Sequence, residues 1–414
     1  MTTLSKETQK KANIILIAGV LFNLSIGVLY AWSVIKTKLI DDWNWTSSEA
    51  GLPYTLAIVC FALAAFFGGR MQDKIGPRKV VTCGGILVGV GLIISGLVGN
   101  SHPMGIAIGF GVITGAGIGL GYSSVLPPAI KWFHPSKKGL VGGLIVGGFG
   151  VAAVYFAPVA NVLLNKFGIE TTLLILGIAT IVISTPIAQL IKNPPVGYVP
   201  PAPANLKESI AQSAPSVDYT RGEMMKTKRF YLLFPMFLFS SSAGLMIIGN
   251  MSKIAKDQAE ISDTVIIAIL VAFLAVTNAL GRIAGGYMSD KIGRVNALFV
   301  VFILQALNMV GFIFYGNLAL LVFGIIMVGF NYGTLLSVFP AITADQYGLK
   351  NYGANYGVMY LAWGLAGVAA PIMADYFYDI HKNFNIAYII CAIMMASLIF
   401  VNYLYKRNLQ TLNR

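Results

Sequence analysis

Twelve uninterrupted apolar runs, most of them twenty residues or longer, recur from one end of this 414-residue chain to the other. Such runs match a hydrocarbon core roughly 30 Å thick, where only helices and closed barrels satisfy the backbone. Each run is continuous rather than alternating, so helices are expected. They fall at about 13–35, 49–69, 79–99, 104–130, 138–163, 170–191, 229–251, 263–287, 295–314, 317–342, 353–379 and 384–405. Composition agrees: 11% of residues are charged, against about 25% in soluble domains. The first run follows Lys6, Lys10 and Lys11 without a small-residue cleavage site, and is read as a retained span rather than a signal peptide.

A net charge of +13 raises the question of nucleic acid, and the placement of the charges answers it. At alternate span ends, on the side of both termini, lie 22 Lys and Arg; six lie on the other side (Lys36, Lys38, Lys166, Lys253, Lys256, Lys382), and Arg282 is left inside a span. By the positive-inside rule both termini are cytoplasmic, in a multi-pass protein of the cell membrane with the bilayer, not nucleic acid, as its partner. Cys60, Cys83 and Cys391 show no CxxC spacing, and His102, His134 and His381 lie far apart, so neither metal nor cofactor is expected. GxxxxGK[ST], HExxH and GxSxG are missing from the sequence, and an enzyme is not expected.

Between spans 6 and 7 lies a Pro-, Ser- and charge-rich stretch too polar to cross, a cytoplasmic linker over 192–228 that separates residues 1–191 from 229–414. The two parts echo each other. GGRMQDKIG at 68–76 matches GGYMSDKIG at 285–293, and GVAA at 150–153 recurs at 367–370, both at an offset of 217. Gly68, Gly69, Gly285 and Gly286 permit close helix approach, and Asp73 and Asp290 are placed to accept hydrogen bonds from neighbouring helix ends. Arg78 and Arg294 are read as members of the same cytoplasmic clamp.

These two segments resemble the signature loop of the major facilitator superfamily and its echo. That resemblance implies an all-α membrane protein with twelve transmembrane helices in two pseudo-symmetric six-helix bundles, rocking about a site near the bilayer midplane.

Arg282 sits eight residues before Asp290, roughly 12 Å up its helix from the cytoplasmic end. An arginine at a helix centre costs about 2.5 to 3.5 kcal/mol on insertion scales, so it should face a cavity and a partner. No Asp or Glu occupies the core of any expected span, and the 217-residue register puts Ala65 opposite Arg282 and Phe61 opposite Asn278. The scaffold therefore works without this polar pair. Two readings remain: the guanidinium snorkels or meets backbone carbonyls, or it binds the carboxylate of an anionic substrate bidentately, with Asn278 one turn earlier adding a hydrogen bond. Tyr30, Tyr122, Tyr332 and Tyr360, in glycine-rich helices, are read either as packing or as the polar-tipped wall of a small pocket.

Within the superfamily, GVLYAWSV, GYSSVLPPAIKWFHPSKKGL, NALGRIAGGYMSDKIGR and NYGVMYLAWGLAG resemble the oxalate/formate antiporter family and its bacterial lactate and pyruvate transporter relatives. The resemblance implies that Arg282 binds carboxylate, with Tyr30, Tyr122 and Tyr332 at pocket positions. It also shows two departures. Oxalate exchangers of the family carry a lysine where this chain has Trp363, and a glutamine where it has Leu29, so one cation favours a monocarboxylate over a dianion. Animal monocarboxylate transporters, more distant relatives, carry an aspartate at the position of Asn278, which cannot titrate.

Import of an anion into a negative interior is uphill by about 2.3 kcal/mol per 100 mV and needs a co-transported cation or an exchanged anion. Asp257, Glu260 and Asp263, between spans 7 and 8, are the acidic residues considered for proton coupling; a solvated loop is their other reading. The sequence reading is thus a proton-coupled, monomeric monocarboxylate carrier, with an obligate carboxylate exchanger as the alternative and a carboxylate sensor behind both.

Overall fold

The computed structural model describes residues 2–101, 103–200 and 218–412, without the side chains of residues 2–7, 30, 31, 33, 47, 48, 101, 153, 264, 268, 411 and 412; residues 201–217 of the expected linker lie outside it. Regular structure among the described residues is helical. The first helix, α1 (Thr2–Ser25), passes through a 3-10 turn, Gly27–Ala31, into a helical extension, Trp32–Trp43, beyond the expected end of the span. Thr46 and Glu49 form a capping box that starts α2 (Ser47–Ile75), each side chain satisfying the other's backbone N–H. α3 (Pro77–Val98) follows after the single residue Gly76, whose φ of +88° suits glycine, and Pro77 fits the first helical position. A π-helical stretch, Ala107–Thr114, leads into α4 (Gly115–Trp132).

The 51-residue helical stretch Lys138–Ala188 holds two spans, because Gly168 breaks it at φ +74°. These are α5 (138–167) and α6 (169–188). Within the linker, Arg221–Met225 forms a short helix whose Thr220–Glu223 capping box lowers the Glu223 pKa, the backbone hydrogen bond from Thr220 being the main cause. Then come α7 (Lys228–Asp257), α8 (Thr264–Ile292), α9 (Arg294–Phe312), α10 (Leu318–Tyr347), α11 (Tyr352–His381) and α12 (Asn385–Leu412). Eleven described stretches are long and apolar enough to cross a membrane, and the Gly168 break makes twelve spans of them.

Contacts group the chain into two compact units. Unit 1 comprises Met1–Pro135, Leu144–Asp218 and Gly348–Gly364; unit 2 comprises Ser136–Gly143, Tyr219–Tyr347 and Leu365–Arg414. The internal echo is visible in backbone angles, since Gly76 (φ 88°, ψ 152°) and Gly293 (φ 89°, ψ 151°) adopt one conformation 217 residues apart. Farther along, the register changes. In unit 1, Gly353 and Gly357 of α11 press on the α2 backbone at Gly69 and Ala65; in unit 2, Gly139 and Gly143 press on the α8 backbone at Gly286 and Arg282. α5 and α11 therefore correspond at 214 residues, not at the 217 of the GVAA match. The difference arises early, because α9 has 19 residues where α3 has 22.

Candidate functional site

In unit 2, α8 carries Arg282 and Asn278 on one face, and the structure joins them: Nε of Arg282 donates to Oδ1 of Asn278 at 2.9 Å. Both side chains are buried, Arg282 to 3% exposure. Glycines on two neighbouring helices let the backbone around this pair be approached closely. Any Cβ on Gly333 of α10 would collide with the Asn278 carbonyl, and any Cβ on Gly143 of α5 with the Arg282 carbonyl. On the same α8–α10 contact, the hydroxyl of Thr334 donates to the Gly281 carbonyl at 3.2 Å. Such close approach between small residues is how helices associate without a hydrophobic driving force. Tyr332, next to Gly333, is buried with its ring against Gly244 of α7.

Unit 1 gathers three of the other sequence-derived residues. Tyr122 of α4 and Tyr360 and Trp363 of α11 form one aromatic cluster with Phe61 of α2 and Phe149 of α5. Ring centroids lie 4.8 Å apart for Tyr360–Trp363, 5.3 Å for Phe61–Tyr122 and 5.4 Å for Tyr122–Phe149. The first pair is stacked and the other two meet edge-on, arrangements that stabilise beyond simple burial. Phe61 occupies the register position of Asn278, so the duplicated place holds a ring in α2 and a polar pair in α8. The sequence marks Phe61 only as the counterpart of Asn278 and does not mark Phe149 at all, because a Phe in an apolar run carries no signal of its own. Tyr30 lies in the Gly27–Ala31 turn, and its side chain is outside the described residues.

At the Lys- and Arg-rich end of the spans, Asp73 accepts a hydrogen bond from the Ala354 N–H at 2.9 Å and has Lys131 Nζ at 4.0 Å. Arg78 is exposed. In unit 2, Asp290 accepts from the backbone N–H groups of Gly139 (2.9 Å) and Leu140 (2.8 Å) and pairs with Arg294. Arg294 Nε reaches Asp345 at 3.0 Å, and Asp345 also holds Lys138 Nζ at 2.9 Å. Lys138, 1% exposed, and Asp345 were missed in the sequence because they look like ordinary charges at helix ends.

The three acidic residues beside the α7–α8 connection are exposed. Asp257 accepts from the Tyr378 hydroxyl, Glu260 has a left-handed φ of 53°, and Asp263 caps α8 by accepting from Val265 N–H (2.8 Å) and Ile266 N–H (3.3 Å). Asp263→Ala is therefore expected to destabilise by about 1 kcal/mol and Asp263→Asn by only a few tenths. Thermal unfolding of the purified carrier checks this; equal loss in both variants would mean the cap contributes nothing.

Residues 15–371 and 239–412 match the family model described as Major Facilitator Superfamily. The chain is 26% identical to the Oxalate:formate antiporter of Oxalobacter formigenes, over 92% of this chain and 87% of that protein. It is also 26% identical to Apicoplast pyruvate carrier 1 of Toxoplasma gondii, over 83% of this chain and 79% of that one. A crystal structure of the fucose:proton symporter FucP of E. coli is similar with a TM-score of 0.71 at 12% identity, covering 95% of this chain and 98% of that chain, a likeness of fold.

Proposed function

The chain belongs to the Major Facilitator Superfamily, and on that premise we propose that it is a proton-coupled symporter of small monocarboxylates of the lactate, pyruvate or formate class. The observation that carries this reading is the buried Arg282 with Nε tied to Asn278. That bond sets the guanidinium plane, so a carboxylate engages Nη1 and Nη2 end-on, in charge-assisted hydrogen bonds that a membrane interior strengthens. Trp363 brings a ring and no charge to the aromatic cluster, which supports one carboxylate rather than two. The relatives named for oxalate:formate exchange and for pyruvate carriage support the same substrate class.

In this proposal the bundles 1–191 and 229–414, joined by the linker 192–228, alternate access as a monomer in the cell membrane with both termini cytoplasmic. Asp73, Asp290 and Arg294 hold the cytoplasmic side closed, whereas Arg78, exposed on the outer face of α3, stands outside that clamp. Tyr30, Tyr122, Tyr332 and Tyr360 narrow the path, and Asp257, Glu260 or Asp263 takes the travelling proton.

A second reading, obligate carboxylate exchange, draws support from Asn278, an amide that cannot carry a proton. Lactate uptake into proteoliposomes separates the two. Uptake driven by an inward proton gradient alone is expected for symport; uptake that requires preloaded formate, pyruvate or oxalate and ignores the gradient would establish exchange instead.

A further inference from the structure

In unit 1 an open groove of about 470 Å³ runs along the outer face of α3, where Arg78 and Lys79 stand above Thr82, Cys83 and Ile86, with Gln189 just beyond α6 at its edge. Both cations are exposed, and so are Cys83 and Ile86. The Gln189 side chain donates to the Thr82 hydroxyl at 2.9 Å and so is tied to the edge of the groove. The surface therefore offers two positive charges at one end of a shallow apolar groove. It lies at the Lys- and Arg-rich end of the spans, the end that also holds Trp132 and Tyr198, whose rings pack at 5.0 Å as amphipathic side chains do at a membrane–water interface.

The internal duplication supplies the contrast. Where α3 has Arg78, Lys79 and Thr82, α9 has Val295, Asn296 and Phe299. There the Phe299 ring takes the place of the small Thr82, and Lys406 of α12 lies over that ring at 6.0 Å while reaching Asn296 at 3.4 Å. The helix pair thus forms without a basic pair at this point, and in α9 a ring and a lysine stem occupy the corresponding surface. In α3 that surface carries charge beside an open apolar groove.

We propose that this groove binds an anionic phospholipid, its phosphate between Arg78 and Lys79 and one acyl chain along Thr82, Cys83 and Ile86. Basic pockets between helices at the membrane surface are suited to anionic headgroups, and each nearby cation is worth about fivefold in lipid preference. Two cations together give a preference of about 30-fold for an anionic over a zwitterionic lipid.

The test uses the full chain in phosphatidylcholine nanodiscs doped with phosphatidylglycerol carrying a photoreactive acyl chain, with adducts mapped by mass spectrometry. Adducts are expected in the segment 78–90, displaced by unlabelled phosphatidylglycerol about 30-fold better than by added phosphatidylcholine. Arg78→Gln with Lys79→Gln should erase that preference. Thr82→Phe, which copies α9 and keeps both charges, should remove the adducts by filling the groove. Lys406→Gln, on the other half, should change neither. Equal labelling by a phosphatidylcholine probe, or labelling indifferent to the double substitution, would reduce the groove to ordinary annular contact and overturn the proposal. Displacement by millimolar inorganic phosphate as effective as by phosphatidylglycerol would overturn it too, since the acyl chain would then contribute nothing.

Discussion

Arg282→Lys is expected to lower monocarboxylate uptake by about 100-fold while the carrier still folds. The substitution keeps the positive charge and removes the planar fork, leaving an ammonium that engages a carboxylate as a point charge. It also removes the Nε donor that ties the side chain to Asn278 at 2.9 Å, so the cation loses its fixed orientation. A charge-assisted hydrogen bond is worth roughly 1.5 to 3 kcal/mol, and losing one bond's worth at the upper end of that range accounts for the fall. Folding should survive, because α8 meets α5 and α10 here through close backbone approaches at Gly143 and Gly333, which the substitution leaves in place. Initial rates of labelled lactate uptake, set beside the thermal midpoints of the two proteins, test the idea. Wild-type rates in the lysine variant would remove carboxylate binding from Arg282, whereas a collapsed midpoint would make the residue structural.

Asp345→Ala should be the most damaging single change at the charged end of unit 2, costing about 3 to 5 kcal/mol. Asp345 is shared by two cations, Lys138 at 2.9 Å and Arg294 at 3.0 Å, and Lys138 is almost fully buried. Removing the carboxylate leaves the ammonium desolvated with its ion pair gone, and such orphaned charges destabilise far more than an intact pair stabilises. Adding Lys138→Met to Asp345→Ala should recover much of the loss, since an apolar chain of similar length fits the same space without charge. Thermal unfolding of the single and double variants decides the matter. Equal midpoints for both would show that the Lys138–Asp345 pair contributes no coupling.

The helical membrane character was legible because it depends on local quantities: apolar run length, charge at run ends and the absence of alternation. Span boundaries were less so, as with the helix that continues from the first run through Trp43 after a 3-10 turn. The buried arginine was legible for the same reason as the spans, since a full charge in the middle of an apolar run stands out without knowledge of its neighbours. Its bond to Asn278 was within reach too, because four residues on one helix face are adjacent by geometry alone.

Other features were decided in three dimensions. The Lys138–Asp345 pair joins residues 207 positions apart, and each looks ordinary in its own segment. Phe61 and Phe149 enter the ring cluster only because α2 and α5 converge on Tyr122 and Trp363. Even the internal repeat needed the structure for its register: string matching gave a single offset of 217, while glycine contacts put α5 and α11 at 214. A sequence repeat records common descent, whereas packing register follows from helix length, and α9 is three residues shorter than α3. The sequence by itself thus determined what must lie in the membrane and which charge required an explanation. Which side chains meet was left to tertiary packing, because those contacts depend on how distant helices approach one another.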